Sequence, residues 1–228
     1  MQIYYDFHIH SALSPCADKD MTPLNIAAMA SAKGLGAIAV SDHNSIKNVA
    51  ATMECGSAFG ITVLPAVEVQ TAEDIHILAL FPTYEKLEAF FTLLKFPIIP
   101  NRPDIFGEQL IINSDGEIVG KEENLLHTSA TIGIYQTAEL IIKMGGKAIP
   151  AHIDREANGI LAILGDVPPD LTISRLEFSP HATDELMQRY AQYKRLVNSD
   201  AHCLLNISDA VNCIEAQDSS IEKIWEIL

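Results

Sequence analysis

The run Ile3-Tyr4-Tyr5-Asp6-Phe7-His8-Ile9-His10 is followed by Thr22, by Pro23 to Lys33, by Gly34, and then by Ala37-Ile38-Ala39-Val40-Ser41. The first run reads as a strand. Thr22 is a helix cap, Pro23 fits the first helical turn and Gly34 stops the helix. Ala37 to Ser41 is a short apolar run of the kind a fully buried strand shows. Strand, helix and buried strand in succession make a parallel crossover unit.

The alternation continues. A helix is predicted near Ile46 to Ser57, strands at Ile61 to Val69 and Ile75 to Phe81, and a helix at Tyr84 to Leu94. After a break come a helix at Ala138 to Met144, ended by Gly145-Gly146, and strands at Ala148 to His152, Ser174 to Phe178 and Leu196 to Asp200. The break, from about Phe96 to His127, carries Asp115-Gly116 between apolar runs, a hairpin signal, and reads as an inserted loop and hairpin. With no linker or repeat, residues 1–228 are expected to form one α/β domain, a parallel barrel-like fold whose functional groups gather at the carboxyl ends of its strands.

Composition narrows the function. The chain has 228 residues, 48% of them hydrophobic, with 15 Lys plus Arg against 30 Asp plus Glu, a net charge of −15. Such a balance argues against strong electrostatic binding of duplex nucleic acid or anionic lipid. No apolar run approaches the ~20 residues of a membrane span, and the amino terminus lacks a signal-peptide pattern, so a cytoplasmic protein is expected. Cys16, Cys55, Cys203 and Cys213 contain no CxxC pair, which suggests neither a disulfide framework nor a thiolate zinc knuckle.

His8 and His10 lie two apart in a strand, so both side chains leave one face and can reach a single ion. Asp200 and His202 share that spacing. An isolated HxH is also what a hydrogen-bonded strand histidine looks like, but ionisable groups recur at strand ends in Ser41-Asp42-His43-Asn44, at Glu68, in Ala151-His152-Ile153-Asp154 and in Asn198-Ser199-Asp200-Ala201-His202. Burying so many without partners would cost several kcal/mol apiece, and a shared cation removes that cost. His76 begins its apolar run, and a short turn through Gln70 to Asp74 would bring it to the rim where Glu68 ends the preceding strand. Glu68 is the natural bridge between two ions, because a carboxylate has two oxygens and an imidazole one free lone pair.

In order and spacing, Asp6-Phe7-His8-Ile9-His10-Ser11, Ser41-Asp42-His43-Asn44, the Glu68 and His76 pair, Ala151-His152 and Ser199-Asp200-Ala201-His202 resemble the motifs of the polymerase and histidinol phosphatase (PHP) family of metal-dependent phosphoesterases. The resemblance implies a distorted (β/α)7 barrel with two or three divalent ions, zinc, manganese or iron. Carried over by position, His8, His10, Glu68 and Asp200 look like one site, Glu68, His76 and His152 a second, and His43 and His202 part of a third. Relatives supply a further ligand from the loop after HxH, here Ser14-Pro15-Cys16-Ala17-Asp18-Lys19-Asp20. Cys16 and Asp18 are the alternatives there; Asp18 is taken as the ligand, and Asp20 as a polar residue favoured by the helix start.

Asp6 and Asp42 are expected to orient ligand imidazoles. His127 is expected to be a solvated loop histidine. His181 follows a strand toward the rim and is a candidate substrate contact. Arg155 is a candidate phosphate clamp, its planar fork matching two phosphate oxygens, or else a salt-bridge partner of Asp154 or Glu156. The expected activity is hydrolysis of a small phosphomonoester, a nucleotide or a short oligonucleotide end by a metal-bridging water, with no protein nucleophile. The alternatives are a non-catalytic metal-stabilised binding or scaffold module, and a metal-dependent amide or nucleobase hydrolase.

Overall fold

A computed structural model describes residues 1–228. In chain order it contains β1 (Gln2–Ile9), α1 (Pro23–Ala32), β2 (Ala37–Val40), α2 (Val49–Ala58), β3 (Thr62–Val63), β4 (Ala66–Gln70), β5 (His76–Leu80), α3 (Tyr84–Phe91) and α4 (Pro103–Phe106). There follow β6 (Leu110–Ile112), β7 (Ile118–Lys121), α5 (Ile134–Lys143), β8 (Lys147–Pro150), α6 (Ile160–Leu164), β9 (Leu176–Phe178), α7 (Asp184–Arg189), β10 (Arg195–Val197), β11 (Cys213–Glu215) and α8 (Ile221–Ile227). No helix is long and apolar enough to cross a membrane.

The α/β class holds, but the strands form separate sheets that do not close into a barrel. β1, β2 and β3 are parallel neighbours, with β11 antiparallel on the outer edge of β1. β4, β5 and β8 form a second sheet, β9 and β10 a parallel pair, and β6 and β7 the hairpin. Single parallel bridges, Ile9 to Ala201 and His43 to Glu68, join the sheets along one rim.

β5 runs antiparallel to both β4 and β8, which corrects the all-parallel expectation. Only Thr71 to Ile75 separate β4 from β5, and a parallel crossover needs a dozen residues or more. The reversal is what puts His76 on the rim: it starts its strand at the end where β4 and β8 finish. Thr22 caps α1 by accepting from the Asn25 amide at 3.2 Å, and Gly34, with φ +78°, lies just beyond its end. α2 begins at Val49 and not near Ile46, because the preceding turn is committed elsewhere. Asn44 (φ +48°) bonds to the carbonyls of Leu126 and Thr128, each at 2.8 Å, and Asn48 bonds to the Leu110 carbonyl and Ile112 amide, each at 3.0 Å.

These buried amides lock the insertion onto the rim. Its Asp115-Gly116 turn has Gly116 at φ +82°, as a hairpin reversal of that kind requires. Below the rim the core is aliphatic and aromatic, with Ile77, Phe81, Phe90 and Ile141 fully buried among β5, α3 and α5. Gly107, at φ +97°, brings the insertion against the loop after HxH; a Cβ there would sit 2.4 Å from the Pro15 carbonyl oxygen. Gly107→Ala is therefore expected to lower stability by more than ~1 kcal/mol, since both the φ and the close approach exclude a side chain. Unchanged chemical denaturation would contradict this docking.

Candidate metal centre

Glu68 is fully buried at the end of β4, with five imidazoles around its two oxygens. His76 Nδ1, His152 Nε2 and His8 Nε2 lie 2.9, 3.1 and 3.3 Å from Oε1; His43 Nδ1 and His10 Nε2 lie 2.9 and 3.4 Å from Oε2. Asp200 Oδ1 completes the cluster, 2.9 Å from His10 Nε2 and 3.4 Å from His8 Nε2. Backbone strain accompanies the placement: His152 and Asp200 hold φ of +27° and +52°, a region that non-glycine residues occupy only where surroundings impose it.

Hydrogen bonding on the far side of each ring fixes what faces inward. His8 Nδ1 donates to Glu177 at 2.9 Å, and His10 Nδ1 donates to Ser14 Oγ at 3.0 Å, whose own proton goes to Asp42 Oδ1 at 2.7 Å. The Nε2 lone pairs of His8 and His10 are thus 3.2 Å apart and face carboxylate oxygens. Acceptors converging on acceptors repel unless a cation or protons sit between them. Glu68 Oε2, Asp200 Oδ1, His43 Nδ1 and His152 Nδ1 are moreover buried without an aligned hydrogen-bond partner. The donor set fits divalent ions of the kind that take imidazole and carboxylate together.

Four triads have ligand atoms within 4.8 Å of one another: His8, His10 and Asp200; His43, Glu68 and His76; His10, His43 and His202; and Cys16, His43 and His127. His202 joins through a ring that stacks on His10 at 4.3 Å, with Nδ1 donating to the Asp200 carbonyl at 2.8 Å. Burial lowers the pKa of His8, but Glu177, Glu68 and Asp200 outweigh it and hold the ring well above the usual imidazole value. His10 is pushed well below, by burial first and then by the charges of His202 and His43. For Glu68, burial is outweighed by His76, His8 and His43, and the carboxyl stays well below its ordinary range.

Several expectations need correcting. Asp18 is exposed, and its carboxylate belongs to none of the triads, whereas the Cys16 thiol lies with His43 and His127. His127 is an exposed loop residue as expected, and its ring in addition meets that of His43 edge-on at 4.5 Å. Arg155 pairs through Nη1 with Asp200 Oδ2, and not with Asp154 or Glu156. Asp6 touches no imidazole: it accepts from Ser199 and Ser208 and so anchors the segment bearing Asp200. Asp42 reaches His10 only through Ser14. His181 is exposed in a cleft beside the cluster. Glu177, which sequence reasoning passed over, binds His8 and Asn198 and accepts from the His152 amide at 3.3 Å. It is the middle residue of β9, an ionisable group between the apolar Leu176 and Phe178.

A PHP domain model matches residues 6–204. The chain belongs to the PHP family. No curated protein matches it. Among solved structures it is similar to the lesion-specific endonuclease EndoQ of Pyrococcus furiosus, with TM-score 0.71 and 21% identity over 99% of this chain and 55% of that one. It is also similar to a protein from Bifidobacterium adolescentis assigned as a metal-dependent phosphoesterase, with TM-score 0.62 and 17% identity over 99% and 95% of the two chains. The PHP chain thus spans about half the length of EndoQ.

Two outcomes follow for the PHP centre. Glu177→Gln keeps the volume but removes the charge that orients His8, and should weaken divalent-ion affinity ~10–100-fold in a chelator competition; unchanged affinity would show that Glu177 orients nothing. Because His8 keeps its proton above the ordinary imidazole range, a cation must displace that proton near neutrality. Affinity should rise with pH through that range, with proton release in calorimetry across buffers; a pH-independent affinity would contradict the assignment.

Proposed function

We propose that this chain is a metal-dependent hydrolase of phosphate esters, with Glu68 bridging two cations. The observation that carries this reading is the convergence of five imidazoles, those of His8, His10, His43, His76 and His152, on the two oxygens of one fully buried carboxylate, with Asp200 beside His8 and His10. Divalent ions of the zinc, manganese or iron kind bound there, two or three in number, supply an activated water and neutralise phosphoryl charge. In this reading His8, His10 and Asp200 hold one ion with Glu68, and His76 and His152 the other. His43 and His202 serve a third.

A cavity of about 340 Å³ lies over the cluster, bordered by Gln70, Asn158 and Arg155. It shares His152, Arg155, Asp200 and His202 with a cleft of about 1050 Å³ that reaches His181 and Arg195. We read the smaller space as the seat of the reacting phosphate and the larger as that of the group attached to it. Arg155 holds Asp200 and is half-exposed, so it can turn its free donors to a phosphate oxygen; His181 lies along the cleft. Residues 1–228 act in this reading as one domain, a distorted relative of a (β/α)7 barrel whose strands are divided among separate sheets. The favoured substrates are small phosphomonoesters, nucleotides and short oligonucleotide ends.

The acidic composition does not decide the question of duplex DNA. A structure of Endonuclease Q holds a 27-mer duplex with an abasic lesion at its active site, so a duplex belongs among the substrates tried. The metal-loaded chain is expected to hydrolyse phosphomonoesters or short oligonucleotides in a panel that also contains lesion-bearing duplex and amides. Glu68→Gln should lower kcat by at least ~100-fold, more than His43→Ala, because only Glu68 serves two ions. A metal-loaded wild-type chain inert toward every phosphate ester would leave the scaffold reading standing in its place.

A further inference from the structure

Two side chains that the metal centre leaves unused border the cavity over it: Gln70, the last residue of β4, and Asn158, in the segment after β8. Gln70 stands two residues after Glu68, so its side chain leaves the strand on the face that Glu68 uses. Both are held from behind by Asp74, in the turn between β4 and β5. Gln70 Nε2 donates to Asp74 Oδ1 at 3.0 Å, and Asn158 Nδ2 donates to the Asp74 carbonyl at 2.8 Å. A carboxylate and a carbonyl only accept, so both amide nitrogens face Asp74 and both amide oxygens point away from it. Neither of these oxygens accepts a hydrogen bond from the chain. The backbones are fixed as well. The Gln70 amide donates to Asn44 Oδ1 at 3.0 Å, its carbonyl accepts from the Ala130 amide at 2.7 Å, and the Asn158 carbonyl accepts from the His76 amide at 2.9 Å.

We propose that Gln70 and Asn158 are specificity-determining residues whose side-chain oxygens accept from hydroxyl groups on the alcohol part of the substrate. The favoured substrate is then the phosphate ester of a polyol or a ribose-type sugar, with a hydroxyl beside the ester carbon. The phosphoryl group itself is no partner for these atoms, because its ionised oxygens only accept and would repel them. Arg155, on the border of the same cavity, offers donors to the phosphate instead. Acceptors whose orientation is set before binding cost little to order when the ligand arrives. Against a deoxy analogue they lose water and gain nothing, which is how a site built for a hydroxyl rejects a substrate that lacks it. This role rests on the phosphate-ester reading of the Glu68 centre and adds to it the class of alcohol.

The test uses the metal-loaded full chain on matched pairs of esters, glycerol 1-phosphate against propyl phosphate and adenosine 3′-phosphate against 2′-deoxyadenosine 3′-phosphate. The hydroxylated member of at least one pair should have the higher kcat/KM by ~10-fold or more. Gln70→Met and Asn158→Gly each remove one acceptor, the second while keeping the φ of +60° accessible, and each should reduce that ratio by at least ~3-fold. Should one variant fold poorly, the other decides. A ratio unchanged in the variants, with both members slowed alike, would mean that the two amides only brace the turn, and would overturn the role. An active wild type that treats the members of both pairs equally, or that hydrolyses other phosphate esters and none of these four, would also overturn it and leave the phosphate-ester reading intact. A wild type inert toward every phosphate ester would overturn both.

Discussion

The structure turns on the burial of one carboxylate. Glu68 has no access to solvent and touches five imidazoles. A lone carboxylate in such a place would shed its charge, and an uncompensated one would cost several kcal/mol. Here protonated rings keep it ionised, and a ring that gives up its proton offers a cation the lone pair in its place. The features that look irregular serve this arrangement: the reversed β5 that delivers His76, the positive φ of His152 and Asp200, and Glu177 beneath His8.

Support reaches the cluster in layers. Asp42 fixes Ser14, and Ser14 fixes His10; Asp6 fixes the amide and hydroxyl of Ser199 and, through them, the turn carrying Asp200. Arg155 takes one oxygen of Asp200 and leaves the other facing the histidines. Each relay removes a rotation that a cation would otherwise have to freeze, which is how outer partners raise the affinity of inner ligands. The insertion belongs to this scheme, since buried Asn44 and Asn48 spend their hydrogen bonds on its backbone.

Much of the cluster was legible because ionisable groups at the ends of buried strands break an apolar pattern visibly. His8, His10, His43, Glu68, His76, His152, Asp200 and His202 all stand out this way, and all meet in space. The parallel sheet was over-read: strand periodicity says nothing about direction, and only the short Thr71 to Ile75 link constrains it. β11 and α8 were missed, the strand being three residues long. The approach of His127 to His43 was missed because it depends on the Asn44 bonds to Leu126 and Thr128, 82 and 84 positions away in sequence, which leave no local pattern. Asp18 was chosen over Cys16 by chain position alone, and in the structure its carboxylate is exposed while the Cys16 thiol lies with His43 and His127.

The most direct test of the account is the metal content of the chain after mild purification, read by elemental analysis against protein concentration. Glu68 with ligand sets at both oxygens predicts at least two divalent ions per chain. One ion or fewer in a chain that hydrolyses phosphate esters would contradict it.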